Sequence, residues 1–371
     1  MRALRLLTAT AVTAASMFAG GCTQPTAPPS GAASPAATAA TAPSSAPSAA
    51  AGPSQPAKDA AFVQVPRGLN PDLNVPADNP LTPEKVALGR ALYFDKRLSG
   101  DNTISCATCH DPKKGWTDQA AVSTGIRGQK TGRNAPTVIN STYMKLQFWD
   151  GRAKDLEEQS LGPIAAPGEM GNTHEKMVAT LASLDGYKPL FEKAFHAPPS
   201  KERVAQAIAS FERTVLSGNS AYDRYVAGDK SAMTPEAQRG KDVFFGKGRC
   251  VTCHVPPTFS DSLFHNLGVG MKAEKPDVGR YAVTKKESDT GAFKTPGLRD
   301  ITKTFPYMHD GSQKTLEEVI DFYNKGGEAN PHLDPLVTKL DLTTQDKSDL
   351  VAFMKALDGD PTPVVEAPPA P

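Results

Sequence analysis

The sequence predicts a mainly α-helical fold made of two related halves with long loops. Three observations predict it. Apolar residues recur at helical spacing behind Thr-Pro-Glu and Thr-x-x-Glu starts, and no convincing alternating strand run appears. The pattern Cys-x-x-Cys-His occurs twice, as Cys106-Ala-Thr-Cys109-His110 and Cys250-Val-Thr-Cys253-His254. Gly89-Arg-Ala-Leu-Tyr-Phe94 is echoed by Gly240-Lys-Asp-Val-Phe-Phe245, each a similar distance before its Cys-x-x-Cys-His, which reads as a diverged internal duplication.

A Cys-x-x-Cys-His run lets two thiols form thioethers with the vinyl groups of a haem while the adjacent imidazole binds its iron. Cys106, Cys109 and His110 would hold one covalent c-type haem, and Cys250, Cys253 and His254 a second. A zinc site would need another Cys or His pair at finger-like spacing, and the fifth cysteine, Cys22, stands alone near the start. A thioredoxin-like redox pair would not need a histidine after the second cysteine at both places. The chain therefore reads as two cytochrome-c-like haem domains, with no cysteine left for a structural disulfide. A net charge of +1 over 371 residues gives no global field that points to nucleic acid or to an acidic partner.

In chain order, residues 1–22 read as an export signal: Arg2 and Arg5, an apolar stretch from Leu6 to Phe18, then Ala19-Gly20-Gly21-Cys22. Small residues before a cysteine resemble a bacterial lipobox, which would lipidate Cys22 and tie the protein to a membrane through a lipid anchor only. An ordinary cleaved signal with an incidental cysteine is the alternative. Residues 23–61 are Ala, Pro, Ser and Thr with few large apolar groups, the composition of a disordered tether, and 361–371 read as a similar disordered tail. Between them we expect an N-terminal haem domain over 62–230 and a C-terminal one over 231–360.

Thr82-Pro83-Glu84 starts a helix that carries Val86, Leu88, Leu92 and Tyr93 toward a core, and Thr234-Pro235-Glu236 starts its counterpart. Val204, Ile208, Phe211 and Val215 share one helical face. Thr315-Leu-Glu-Glu318 has the form of a capping box before Leu316, Val319, Ile320 and Tyr323, with a stop at Gly326-Gly327. A last helix uses Leu350, Phe353, Met354 and Leu357.

Further motifs, in this order, resemble the bacterial di-haem cytochrome c peroxidases and their MauG-like relatives. They are Leu88–Asp95, Arg97-Leu-Ser99, Arg133-Asn-Ala-Pro-Thr-Val138, Phe148-Trp-Asp-Gly-Arg152, Phe293-Lys-Thr-Pro296 and Pro306-Tyr-Met-His-Asp-Gly311. The resemblance runs from about Asn79 to Leu357. It implies peroxide cleavage at the N-terminal haem, held from below by His110, and electron entry at the C-terminal haem on His254. Glu169 matches the distal acid/base position, Gln159 its polar neighbour and Trp149 the electron relay between the haems. Without that spacing Glu169 would read as a solvated loop carboxylate and Trp149 as a core indole. Asn134 matches a ligand of a calcium ion bound between the domains, a role that suits an amide oxygen.

Two departures from the family pattern matter. Many family members place a histidine in the loop after the first haem motif, where it closes the peroxidatic iron. Here no histidine occurs between His110 and His174, so the first iron is expected to be open even when oxidised. The second concerns the distal ligand of the C-terminal haem. Where peroxidases often supply a Met, this chain has Ala292, and the nearby candidates are Tyr307 and Met308. Tyrosine ligation is a MauG-like trait and is preferred. His174, His196, His265, His309 and His332 read as satisfied or exposed histidines.

The leading expectation is a periplasmic peroxidase that reduces hydrogen peroxide with electrons from a small cytochrome c or cupredoxin. A MauG-like enzyme oxidising a residue of a partner protein is the second, and a non-catalytic electron-transfer lipoprotein the third. The family resemblance also implies a homodimer as one option for assembly.

Overall fold

The structure is a computed structural model that describes residues 62–360 and 365–371. The expected signal, Cys22 and the tether up to residue 61 lie outside the described residues.

Eleven helices carry the described fold, as the sequence predicts. They are α1 (Pro83–Phe94), α2 (Cys106–Cys109), α3 (Leu156–Ala165), α4 (His174–Ser183), α5 (Tyr187–Phe195) and α6 (Lys201–Glu212) in the first half. The second half has α7 (Ala221–Val226), α8 (Pro235–Phe245), α9 (Tyr281–Thr284), α10 (Leu316–Asn324) and α11 (Thr344–Lys355). Two short strands, β1 (Phe264–His265) and β2 (Phe293–Lys294), pair antiparallel, with Phe264 opposite Lys294. Among the described residues no helix is long and apolar enough to cross a membrane.

The helix starts form for the expected reason. Thr82 and Thr234 are N-caps whose side chains accept from Lys85 N and Ala237 N, with Pro in the first turn. Thr315 caps α10 in the same way, but the reciprocal half of the capping box is not made. Glu318 instead accepts from Lys314 N at 2.6 Å, one residue earlier. Val215 and Leu357 lie just past the ends of α6 and α11 and are still buried, so the apolar pattern outlasts the helix.

Among the described residues two larger hydrophobic cores form, beside a small one around Leu73, Leu81 and Leu216. In the first of the larger two, α1 packs on α6 around Tyr93, Trp116 and Phe211; in the second, α8 packs on α11 around Phe244, Phe259 and Phe353. The echoed glycines explain the fit. A Cβ on Gly89 would stand 1.9 Å from Ala207 O, and one on Gly240 would stand 1.8 Å from Asp349 O. Each glycine lets two helix backbones approach where any side chain would collide.

The correspondence between the halves extends into the loops. The bridge Gln147–Ala153 is matched by Tyr307–Gln313. Phe148 and Met308 both have positive φ, as do Gly151 and Gly311. Glu158 accepts from Lys154 N as Glu318 does from Lys314 N. By this register Trp149 corresponds to His309, and Asn134 to Lys294. The backbone exchange is reciprocal: Asn134 N donates to His309 O at 2.7 Å, and Lys294 N donates to Trp149 O at 2.8 Å.

Of the expected tail, residues 361–364 lie outside the described residues, and 365–371 lie against the first half. Val365 packs against the first core, and Arg90 donates to Glu366 O from Nε at 3.1 Å. Lys113 also pairs with Glu366 at 3.1 Å and Arg97 donates to Pro371 O at 3.2 Å, contacts that composition does not reveal.

Candidate haem sites and the path between them

Each Cys-x-x-Cys-His segment faces its own cavity. Cys106, Cys109 and His110 line one of about 420 Å³, and Cys250, Cys253 and His254 line one of about 280 Å³. Burial pushes the Cys109 thiol up to about 11 and that of Cys250 to about 12. Neutral thiols of this kind are poor thiolate nucleophiles, the reverse of a redox-active Cys-x-x-Cys. Burial lowers the pKa of both histidines, which keeps the imidazoles neutral as a metal ligand must be. His254 Nδ1 lies 2.8 Å from Phe259 O, so that nitrogen carries the proton and Nε2 is left for a metal. The backbones of Trp116 and Pro136 face His110 as those of Phe259 and Pro296 face His254, while Tyr93 Oη donates to His110 O at 2.9 Å. Two thiols and a neutral imidazole on one cavity wall, twice, fit two covalent haems.

The 420 Å³ cavity also receives Gln159 and Glu169. Gln159 sits on α3, one turn before Pro163, which lines the same wall. Glu169 follows in a tight turn, its N–H bonded to Ala166 O at 3.0 Å and its carbonyl accepting from Ile126 N at 2.7 Å. A Cβ on Gly125 would stand 2.7 Å from Glu169 O, so Gly125 permits that close approach. Burial raises the pKa of Glu169, opposed by the charge of Arg152. His110 is the one imidazole among the described residues lining this cavity. The 123–132 loop contributes Ser123, Thr131 and Gly132 to its wall.

Trp149 lines both cavities. Its Nε1 donates to Asn134 O at 2.9 Å, and its own carbonyl is held by β2. The turn that carries it is fixed on several sides. Arg133 pairs with Asp150 at 2.7 Å and with Asp277 at 2.6 Å, and Arg280 donates to the carbonyls of Asp150 and Gly151. Asn134 Nδ2 donates to Ala120 O at 2.8 Å.

Tyr307 and Met308 both line the second cavity. Tyr307 Oη donates to Ile301 O at 3.1 Å, and burial pushes the phenol up to about 12. Of the other histidines, His265 bonds Asp334 at 2.6 Å and Asp261 at 3.1 Å, and His174 reaches Leu161 O at 3.0 Å. His196 and His332 lie near Glu192 and Glu287. Cys253, Asp261 and His265 come close enough to share a metal ion, but Cys253 already belongs to the haem motif. His309 is buried, and its ring stacks on Phe293 with centroids 3.6 Å apart.

Sequence reasoning missed three groups that line these cavities. Glu212, at the end of α6, is buried in the wall of the first. Lys294 and His309 line the second. The internal register, Asn134 to Lys294 and Trp149 to His309, is the signal that could have found the last two.

The model of the di-haem cytochrome c peroxidase family matches residues 83–231. The chain is 42% identical over 293 residues to the methylamine utilization protein MauG of Methylorubrum extorquens, covering 78% of this chain and 82% of that protein. It is 38% identical over 289 residues to the cytochrome c551 peroxidase of Nitrosomonas europaea, covering 77% and 83%. Among solved structures, a MauG-like protein associated with microbial copper homeostasis superposes with a TM-score of 0.71 at 36% identity, covering 81% of this chain and 94% of that one.

Proposed function

The chain belongs to the di-haem cytochrome c peroxidase family and is an oxidoreductase of that type, and on that premise we propose that it reduces hydrogen peroxide to water. The observation that carries this reading is the meeting of Glu169, Gln159 and His110 at one cavity whose wall, Trp149, is shared with the second. A haem held by Cys106, Cys109 and His110 supplies the redox-active iron there. Glu169, whose pKa burial raises, delivers a proton to the leaving oxygen. Gln159 orients the peroxide with its amide. Trp149 offers the path for electrons arriving at the second site, which Cys250, Cys253 and His254 form.

Tyr307 is the proposed distal ligand at that second site, with Met308 the alternative. To hold an iron there, Tyr307 would have to give up its bond to Ile301 and its phenol proton, and EPR of the ferric protein separates the two candidate ligands. Asn134 is the proposed protein ligand of a calcium ion between the halves, which calcium analysis of the purified protein tests. The donor is a small cytochrome c or cupredoxin, and the protein works in the periplasm on a lipid anchor at Cys22. A Cys22→Ala protein that still fractionates with membranes would remove that anchor.

The second reading is MauG-like oxidation of a residue on a partner protein. The absence of a second imidazole among the described residues lining the first cavity favours it. Steady-state peroxide turnover with reduced cytochrome c decides between them: brisk turnover supports the peroxidase, and none removes it.

A further inference from the structure

Lys294 sits on β2, half-buried, in the wall of the second cavity. Among the described residues no hydrogen bond or ion pair engages its ammonium. Desolvation pulls its pKa down to about 8. A lysine that leaves bulk water without a carboxylate partner is costly to keep charged. Another cation of the same cavity is differently placed. Arg299 is spent on Asp223 through two bonds of 2.7 and 2.9 Å, and on the carbonyls of Pro257 and Gly68. Lys294 is therefore a cation facing a space that the family fills with a porphyrin, a group that carries two carboxylates.

The internal register sharpens the point. The corresponding residue of the first half is Asn134, and both residues make the same backbone bond across the molecule. At equivalent places beside the two cavities the chain thus has a neutral amide and an ammonium. A positive charge near a haem favours the electron-richer state, because Coulomb attraction in a poorly solvated site decays slowly with distance.

We propose that Lys294 is the charge partner of the carboxylates of the C-terminal haem, and that it raises the potential of that haem. The inference rests on the second cavity holding a haem. In this arrangement the N–H of Lys294 holds the carbonyl of Trp149 while its ammonium holds the cofactor, so a single residue fastens both the relay and the haem it serves.

The test uses the holoprotein with Lys294→Gln, which removes the charge, and Lys294→Arg, which keeps it. Mass spectrometry first counts haems in the wild-type protein, so a wild-type chain without a second haem is recognised as failure of the underlying reading, not of the pairing. Spectroelectrochemical titration then follows the C-terminal haem, and resonance Raman follows its propionate-bending modes. The expected result is a lowered potential and shifted propionate modes in Lys294→Gln, with Lys294→Arg close to wild type. Loss of the second haem from Lys294→Gln alone would also support the pairing. Unchanged potential and modes in a fully loaded Lys294→Gln protein would overturn it. So would an Arg variant that behaves like Gln, or loss of the haem from both, since charge would not then be what the site requires.

Discussion

At the scale of single residues, Glu169 and Glu212, two carboxyls in the wall of the first cavity, have different work. Glu169 touches the space where peroxide would sit, so Glu169→Gln should leave both haem spectra intact while cutting turnover by about 10²–10⁴-fold. Turnover equal to wild type would take Glu169 out of the mechanism. Glu212 is buried more deeply, and burial pushes its carboxyl up to about 8, with Arg213 opposing and Glu157 adding to the rise. Arg213 is bound to Glu157 at 2.7 Å and does not neutralise it. The folded chain therefore keeps a proton that the unfolded chain releases above its ordinary carboxyl range. Stability should fall as pH rises from that range toward 8. Glu212→Gln should flatten this decline, which thermal melts of both proteins between those limits would show. Glu169, Gln159 and Trp149 were legible because the family spacing singles them out. Glu212 and Lys294 were not, since a lone acid or lysine in a motif reads as solvated until a cavity is seen beside it.

At the scale of elements, Gly89 and Gly240 each allow a helix pair to close. Gly89→Ala would press a methyl group on Ala207 O, and Gly240→Ala would do so on Asp349 O. Overpacking of this kind typically costs about 1–3 kcal/mol. Each variant should melt at a lower temperature than wild type, and a neutral result at either would mean that the helices can slide apart. The helices bearing these glycines were readable from Thr-Pro-Glu starts and apolar spacing, as were α6, α10 and α11. Helices α4 and α5 were not singled out, although Thr173 caps the first of them in the ordinary way. Helix α7 is six residues long, too short for a periodic pattern, and only Ser220 and Asp223 mark it, through a reciprocal cap. Its Asp223 also holds Arg299, a contact across the chain that no local pattern encodes.

At the scale of the whole molecule, the open first cavity makes a kinetic prediction. With no imidazole beyond His110 among its described lining residues, the fully oxidised protein should react with peroxide without a prior electron at the second haem. A gated relative must first release its distal ligand. Stopped-flow mixing of air-oxidised and half-reduced samples with peroxide should give rapid Soret changes in both. If only the half-reduced protein reacts, another residue closes the iron, and the 127–133 loop is the first place to look. The reciprocal bonds, Asn134 N to His309 O and Lys294 N to Trp149 O, carry a different consequence. Residue i of one half meets j of the other while the counterpart of j meets the counterpart of i, which is the pattern of an isologous twofold dimer. The two halves in this sense meet each other as the subunits of such a dimer would. Each half presents the other with a carbonyl that needs a donor, so neither the turn of Trp149 nor that of His309 is complete until both halves are folded.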